Sequence, residues 1–369
     1  MPPTDVIIVG GGVIGCAIAY HLAQAGVQVT LFERGEIGGE ASGEAAGMLR
    51  PLDEPLERGP LVDLCLASLR LFGPLADTLR EETGIDIEYL CSGILRVALS
   101  DEEATRLRHL VERTQGLLEW ADPEALRTLE PRLAPAHGGF YFPHLHQVNA
   151  GRFTQALAQA AAARGALLRQ GVAVTGLLTH GSRVAGVRSW EGKAAAGHVV
   201  LAAGPWTAGF GRQLGAALSV RPVRGQMLAF ASSPVRNIVF WEGQNFLLPK
   251  ANGLLFVGST AEEVGFRKNT TAKALAGLRR MAGTLVPSLA YTEVASTWAG
   301  LRPASPDGLP ILGPIPGWEG VSMASGHFRK GILLAPITGQ LVAQQLTRGE
   351  TEIPLEPFFT PARFAASAA

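Results

Sequence analysis

The sequence predicts an α/β fold, and three features of its first 33 residues carry that prediction. Asp5-Val-Ile-Ile-Val9 is a short apolar run of strand type. Gly10-x-Gly12-x-x-Gly15 follows at once and opens a helix from about Ile14 to Ala25. Val27-Gln-Val-Thr-Leu-Phe32 is a second strand, and it ends on Glu33, 18 residues after Gly15. Each position has a physical reading. Gly10 permits the tight turn, Gly12 lets backbone approach a pyrophosphate, and Gly15 lets helix and strand pack closely. The helix N-terminus, with Val13 and Ile14, offers N–H groups and partial positive charge to phosphates. Glu33 can accept a hydrogen bond from a ribose hydroxyl. In this register the segment reads as a site for an adenine dinucleotide; the alternative is a glycine-rich structural turn.

The chain has 369 residues, enough for two domains or one large interleaved one. Hydrophobic residues make up 47% and charged residues 17%, which excludes a disordered chain. Lysine plus arginine equals aspartate plus glutamate, 32 each, with no charge block to suggest nucleic acid or an anionic membrane surface. Three cysteines, Cys16, Cys65 and Cys91, and eight scattered histidines show no metal-ligand spacing. A reducing compartment fits that usage. The first residues lack a basic n-region and a cleavage site, and their apolar run is too short to span a bilayer. The expectation is a soluble cytoplasmic protein without a metal.

Ile37 to Met48 is a run of small residues that reads as a loop against a ligand, with Ser42 able to donate to a phosphate. A linker has the same composition; the position directly after Glu33 favours the ligand. Leu61 to Leu79 has helical spacing, with Gly73-Pro74 expected to kink or split it. Ile85 to Leu99 reads as strands around Cys91-Ser-Gly93, and Glu102 to Trp120 as an amphipathic helix. Asp122-Pro123 has the chemistry of an N-cap and first helical residue. Gly151 to Arg164 is an alanine-rich helix, and Ala166 to Val174 a strand re-entering the first unit. His198 to Gly204 is a buried strand closing on glycine, where the chain either turns beside a cofactor or merely ends a strand. Alternating patterns at 220–230 and 237–258 read as strands, interrupted by Arg224-Gly225-Gln226. Thr271 to Leu285 and Ala335 to Leu346 read as helices, and Pro361 to Ala369 as a frayed tail.

Taken in order, Gly10 to Gly15, Glu33, Ala45-Ala-Gly-Met48, Leu201-Ala-Ala-Gly204, Val223-Arg-Gly-Gln226, Val257-Gly-Ser-Thr260, Ala299-Gly-Leu-Arg-Pro303 and Gly326-His-Phe-Arg-Lys-Gly-Ile332 resemble the flavin-dependent glycine oxidase and D-amino-acid oxidase family. The likeness covers nearly the whole chain and is strongest to the glycine oxidases of thiazole (thiamine) biosynthesis. It implies noncovalent FAD and oxidative deamination of glycine, sarcosine or a small D-amino acid by oxygen. It implies a discontinuous FAD domain of about 1–84, 149–218 and 297–369. A substrate domain on a mostly antiparallel sheet would take about 85–148 and 219–296. By position, Val13 and Ile14 lie under the pyrophosphate, and Glu33 and Arg34 meet the ribose. Ala41 and Ser42 follow, with Ala46, Gly47 and Met48 beside the flavin ring and Val174 at adenine. His327, Phe328, Arg329, Lys330, Gly331, Ile332 and Leu333 line the pyrimidine side. Arg302 and Arg329 fall where the family holds the substrate carboxylate. Members are often homotetramers.

That chemistry asks the protein mainly for placement. A carboxylate clamp suits arginine, whose planar fork makes two charge-assisted bonds. Arg302 reads as that clamp or as an ordinary ion pair; Arg329 as clamp, flavin contact or structural residue. The peptide groups of Phe328 to Ile332 and the helix after them would put donors where reduced flavin carries negative charge, with Gly331 the point of close approach. An apolar pocket of Met48, Phe246 and Met227 would favour the neutral amine, so efficiency should rise with pH through the substrate amine's titration; the same side chains could be plain core. Relatives carry a tyrosine where this chain has Phe246, and often a histidine where it has Gln244. Losing that hydroxyl would weaken substrate binding by about 1.5–3 kcal/mol if nothing replaces it. Two enzyme alternatives are a dehydrogenase of the same fold passing electrons to another acceptor, and a nicotinamide-dependent dehydrogenase. A third is a binding flavoprotein.

Overall fold

The computed structural model describes residues 4–51, 59–114, 118–241, 243 and 245–367, the last three by their backbone alone. Its element order is mixed α/β, as expected. A six-stranded sheet runs in the order Ile311–Pro314, Val321–Ser325, His198–Leu201, Val6–Val9, Val29–Phe32, Leu167–Arg169. All its pairings are parallel except the one between the 311–314 and 321–325 strands. The central strands are buried on both faces, so they read as continuous apolar runs. Val6, Ile8 and Val200 pack with the helices Val13–Gln24, Pro60–Thr83, Ala150–Ala163 and Gly331–Arg348. Ile7, Val9, Val199 and Leu201 pack against a three-stranded meander spanning Val174–His180, Arg183–Ser189 and Gly192–Ala195.

Small residues set how closely these layers approach. A Cβ on Gly15 would lie 1.9 Å from the Gly10 carbonyl oxygen. One on Gly339 would lie 2.6 Å from the Ala17 carbonyl oxygen. The last long helix therefore packs directly on the first, and both helix N-termini are brought to one edge of the parallel sheet.

An eight-stranded sheet forms the second scaffold, in the order Val294–Ala304, Arg221–Phe230, Leu255–Gly258, Asn245–Pro249, Ile238–Trp241, Ile94–Ala98, Gly138–Phe142, Glu119–Ala121. Only the pairing of 238–241 with 94–98 is parallel. The two longest strands pair over nearly their full length, placing Gly225 opposite Gly300 and Val223 opposite Arg302.

Several local expectations are corrected. Pro60–Thr83 is one unbroken helix with Pro74 inside it and Gly84 as a left-handed cap at φ 70°. The charged helix ends at Arg113, and Glu119–Ala121 is an edge strand. Arg224-Gly225-Gln226 does not interrupt its strand, because Arg224 and Gln226 find buried partners on one face. The last helix starts at Gly331, before the expected Ala335. Pro361–Ser367 is a 3-10 turn, and Arg363 pairs with Asp307 at 2.7 Å, so the tail is docked that far. Asp122 does cap the helix that starts at Pro123, accepting from Glu124 and Ala125 N–H. Thr271 likewise caps Ala272–Leu285.

Candidate active site

The first strand delivers the chain to Gly10 at φ 116°, where a Cβ would strike the Ala202 carbonyl oxygen at 2.4 Å. Only glycine fits that turn. The helix Val13–Gln24 begins at Gly12 without a cap from its own loop. Ser42 comes from the small-residue loop instead, its Oγ accepting from Val13 N–H at 2.9 Å. The hydroxyl proton is left to donate outward. On Gly12 a Cβ would meet only Ser42 Oγ, at 3.1 Å, so this face of the turn is open. Glu33 accepts from Gly11 N–H at 2.7 Å and Gly35 N–H at 2.8 Å. It shapes the glycine turn as well as ending the second strand, and four carboxylate lone pairs leave room for a further donor. Arg34 lies 3.7 Å from the Trp206 ring centroid and bonds Glu40 at 2.6 Å.

These groups line one end of a single cavity of about 600 Å³. Of the residues the sequence singled out, Gly10, Gly12, Val13, Ile14, Glu33, Arg34, Ala41 and Ser42 line it, as do Val174 and Gly204. Ala46, Gly47 and Met48 form its middle wall. Gly15 stands behind the turn, and Leu333 is buried in the helix core at 1% exposure; neither reaches the cavity.

The far wall is the chain from His327 to Ile332. Phe328 adopts φ 48°, a left-handed conformation rare outside glycine, held by its N–H on the Pro303 carbonyl at 2.8 Å. His327 is buried, with Nε2 3.1 Å from Thr338 Oγ1. Desolvation pushes its pKa down to about 3, so it stays neutral at physiological pH. The helix Gly331–Arg348 starts at Lys330 with no side-chain cap. Its first-turn N–H groups and dipole are thus aimed at the cavity, where Phe328, Arg329, Lys330, Gly331 and Ile332 all contribute lining.

Arg302 lines the same cavity from the strand Val294–Ala304. Its guanidinium lies over Gly225, where a Cβ would come within 2.2 Å of Nη2. Nη1 donates to the Thr260 carbonyl at 3.0 Å and Nη2 to Ser259 Oγ at 2.9 Å. Among the described residues Arg302 makes no ion pair, which removes the ordinary salt-bridge reading within that set. Burial, with Arg329 second, pushes its pKa down to about 10, so it remains a cation at neutral pH. Arg329 lies 4.8 Å over the Phe328 ring. Phe246, 4% exposed, packs on Phe240 at 5.8 Å between centroids and also lines the cavity, with Met227 beside it. Gln244 lies outside the described residues.

Gly225, Ser259, Trp206 and Arg50, to which the sequence assigns no role in the site, also line the cavity, and Thr260 holds Arg302 without lining it. The signal for Gly225, Ser259 and Thr260 was present in the Arg224-Gly225-Gln226 and Gly258-Ser259-Thr260 runs, which carry no chemistry until strand register sets them under Arg302.

The arrangement is one elongated cavity with a pyrophosphate-type cradle at one end, a second uncapped helix start along its wall and a cation without an ion pair among the described residues at the other end. The open face of Gly12 and the two helix N-termini fit a dinucleotide that carries a ring needing donors, as a flavin does. Comparison with known proteins agrees. The model of the family described as "DAO: FAD dependent oxidoreductase" matches residues 5–345, and the chain belongs to that family. It is thus an FAD-dependent oxidoreductase, and FAD is its cofactor. The chain is 39% identical over 361 residues to a glycine oxidase of Geobacillus kaustophilus (strain HTA426), covering 96% of each chain. It superposes on the crystal structure of glycine oxidase from Geobacillus kaustophilus with a TM-score of 0.91, covering 96% of this chain and 97% of that one, at 38% identity. It is also 34% identical over 362 residues to the bifunctional protein ThiO/ThiG of Nostoc sp. (strain PCC 7120 / SAG 25.82 / UTEX 2576), covering 96% of this chain and 54% of that protein.

Proposed function

We propose that this protein oxidises glycine, and with it sarcosine and small D-amino acids, using oxygen as the final electron acceptor. For glycine the balance is one amino acid, one oxygen and one water giving glyoxylate, ammonia and hydrogen peroxide. The imine formed before hydrolysis would be the product passed to thiazole formation in thiamine biosynthesis, a role supported by the similarity to the fused ThiO/ThiG protein.

The observation that carries this reading is Arg302: a cation in the cavity wall, oriented by one carbonyl and one hydroxyl, with no carboxylate partner among the described residues. A substrate carboxylate supplies that partner through two charge-assisted bonds. Met48, Phe246 and Met227 give the neighbouring wall an apolar character that favours the uncharged amine. When bound, FAD would supply the two-electron acceptor chemistry, with oxygen as the final oxidant. The chain would supply position: the Gly331 and Ile332 N–H groups at the start of the last long helix would face negative charge on the bound ring, and Arg302 would fix the substrate at one end. No acid or base side chain is needed at the reacting carbon. The oxidases among the relatives favour this over a dehydrogenase of the same fold.

We read the parallel-sheet segments 1–84, 149–218 and 297–369 as the FAD domain, and 85–148 with 219–296 as the substrate domain. Sheet membership supports this division, with the strand Val294–Ala304 crossing the boundary. No helix among the described residues is long and apolar enough to cross a membrane, and we take the enzyme to work in the cytoplasm as a noncovalent FAD holoenzyme and homotetramer. Mixing the purified protein anaerobically with millimolar glycine tests the core of this. Bleaching of the flavin band, followed by recovery and peroxide on admitting oxygen, is the expected result. A yellow protein that glycine, sarcosine and D-alanine all fail to bleach overturns it.

A further inference from the structure

Lys250 lies outside the cavity, at the end of the strand that carries Phe246. Its ammonium donates to three acceptors at once: Gln147 Oε1 at 2.8 Å, the Val148 carbonyl at 3.1 Å and the Ala46 carbonyl at 3.3 Å. All three donors are used, and among the described residues the group makes no ion pair. Gln147 returns the contact, its Nε2 donating to the Pro249 carbonyl at 3.0 Å. The segments so joined are the cavity wall Ala46–Met48, the strand at His146–Gln147 and the hairpin end at Pro249–Lys250.

The wall needs such a fastening. Gly47, at φ 86°, sits so close to Val148 that a Cβ would lie 1.9 Å from its carbonyl oxygen, while Val148 N–H donates to the Gly47 carbonyl at 2.9 Å. The Ala46 and Val148 carbonyls both bond one nitrogen, bringing two negative dipole ends together, and a cation between them offsets their repulsion. An apolar side chain could fill the space but could not hold both carbonyls.

We propose that Lys250 is a positioning residue for the cofactor, fastening the Ala46–Met48 wall to the hairpin that carries Phe246 and so fixing the width of the cavity at the flavin ring. This rests on the assignment of Ala46–Met48 to the ring. The placement is energetically unfavourable for the lysine itself: desolvation, opposed in part by Glu88, pushes its pKa down to about 8. Glu88 is in turn bonded to Arg152 and Asn149, and His146, beside Gln147, is lowered by its own burial. A folded-state pKa below the unfolded value means that holding this ammonium in place works against stability below about pH 8. A residue kept at such a cost serves geometry rather than stability.

The test uses apoprotein titrated with FAD and followed by flavin fluorescence. Lys250→Met should raise the FAD dissociation constant by about tenfold or more, while the melting temperature of the apoprotein holds or rises. Lys250→Arg keeps charge and donors and should stay within about threefold of the parent. A Lys250→Met protein with parental FAD affinity and an unchanged visible flavin spectrum overturns the proposal. If that variant does not fold, the parent decides. Its FAD dissociation constant should rise by about threefold or more between about pH 7 and about pH 9.5, as the free protein's Lys250 loses its proton. A constant value across that range overturns the proposal. A parent that takes up no FAD at all overturns the cofactor assignment together with it.

Discussion

The two ends of the cavity are built by opposite means. At the nucleotide end the ligand-facing groups belong to the backbone, the open face of Gly12 and the N-terminus of Val13–Gln24, and along the far wall the uncapped start of Gly331–Arg348 continues the pattern. Side chains there, Glu33 and Ser42, mostly hold backbone in place. At the substrate end the backbone is tied up in strand pairing, and the ligand-facing groups are side chains: the guanidinium of Arg302 and the rings and thioethers beside it. Backbone groups recognise what all dinucleotides share. Side chains on a strand can be exchanged one at a time, so the substrate end is where relatives of one fold can diverge.

If this contrast holds, substitutions at the two ends should fail differently. The largest effect is expected from Gly12→Val. A branched side chain on that open face would occupy the pyrophosphate position beside Ser42. The protein should be purified colourless, with no 450 nm band after incubation with excess FAD. A normal flavin content would show that the cofactor does not use this turn. Arg302→Met should do the reverse: full flavin content, with kcat/KM for glycine down by about 10²–10⁴-fold, the equivalent of about 3–6 kcal/mol for two charge-assisted bonds. Loss of flavin in that variant would dissolve the distinction between the ends.

The same contrast explains what could be read in the sequence. The nucleotide end was legible because its parts are local: strand, turn, helix and acid fall within residues 5–33, and each glycine has one steric reason. At the substrate end Arg302, Phe246 and Met48 are reached only through the family resemblance, and the strand that supports Arg302 is not legible. Arg224-Gly225-Gln226 looked like an interruption because a charge and a glycine in a strand argue against a strand. Register resolves it: Gly225 makes room for the Arg302 guanidinium on one face, while Arg224 and Gln226 on the other bond Glu262, whose carboxyl is pushed up by burial but lowered overall by its bonds from Arg224, Thr260 and Gln226. The last long helix starts at Gly331, before the expected Ala335: glycine's low helix propensity hides its first turn, and packing of Gly339 on Ala17 overrides that local preference. Glu119 and Trp120 fall in the expected helix, but so short a segment has no period to tell strand from helix; edge pairing of Glu119–Ala121 with Gly139–Tyr141 decides it.

Phe246 sharpens the comparison from the substrate side. Its ring tip faces Gly258, where a Cβ would come within 2.6 Å of Cζ, and Met227 packs beside it. Phe246→Tyr puts a hydroxyl at that tip. It should lower KM for glycine by about tenfold, at the weak end of a hydrogen bond to a charged group, and leave FAD affinity unchanged. An unchanged KM would mean that the carboxylate is already fully bonded.

The smallest expected effect separates the two scaffolds by acid. Three histidines on the parallel-sheet side are held below their ordinary value by burial: His21 to about 4, His198 to about 4 with Arg183 adding to it, and His327 to about 3. A histidine with a lowered folded-state pKa binds its proton more readily when unfolded. Its contribution is therefore fully present above about pH 6.5 and is lost as pH falls toward the folded value. On the eight-stranded side Glu130 is shifted the other way. Burial raises it above the usual carboxylate value, only partly offset by N–H donors from Arg236 and Asn237, so acid does not act against it in that window. Lowering the pH from about 6.5 to about 4.5 should thus reduce the melting temperature by several degrees, with FAD released before the tryptophan signal of the eight-stranded sheet changes. Simultaneous loss of both signals would show that the long strand pair Arg221–Phe230 and Val294–Ala304, which carries Arg302 to the cavity, also couples the two scaffolds into one unfolding unit.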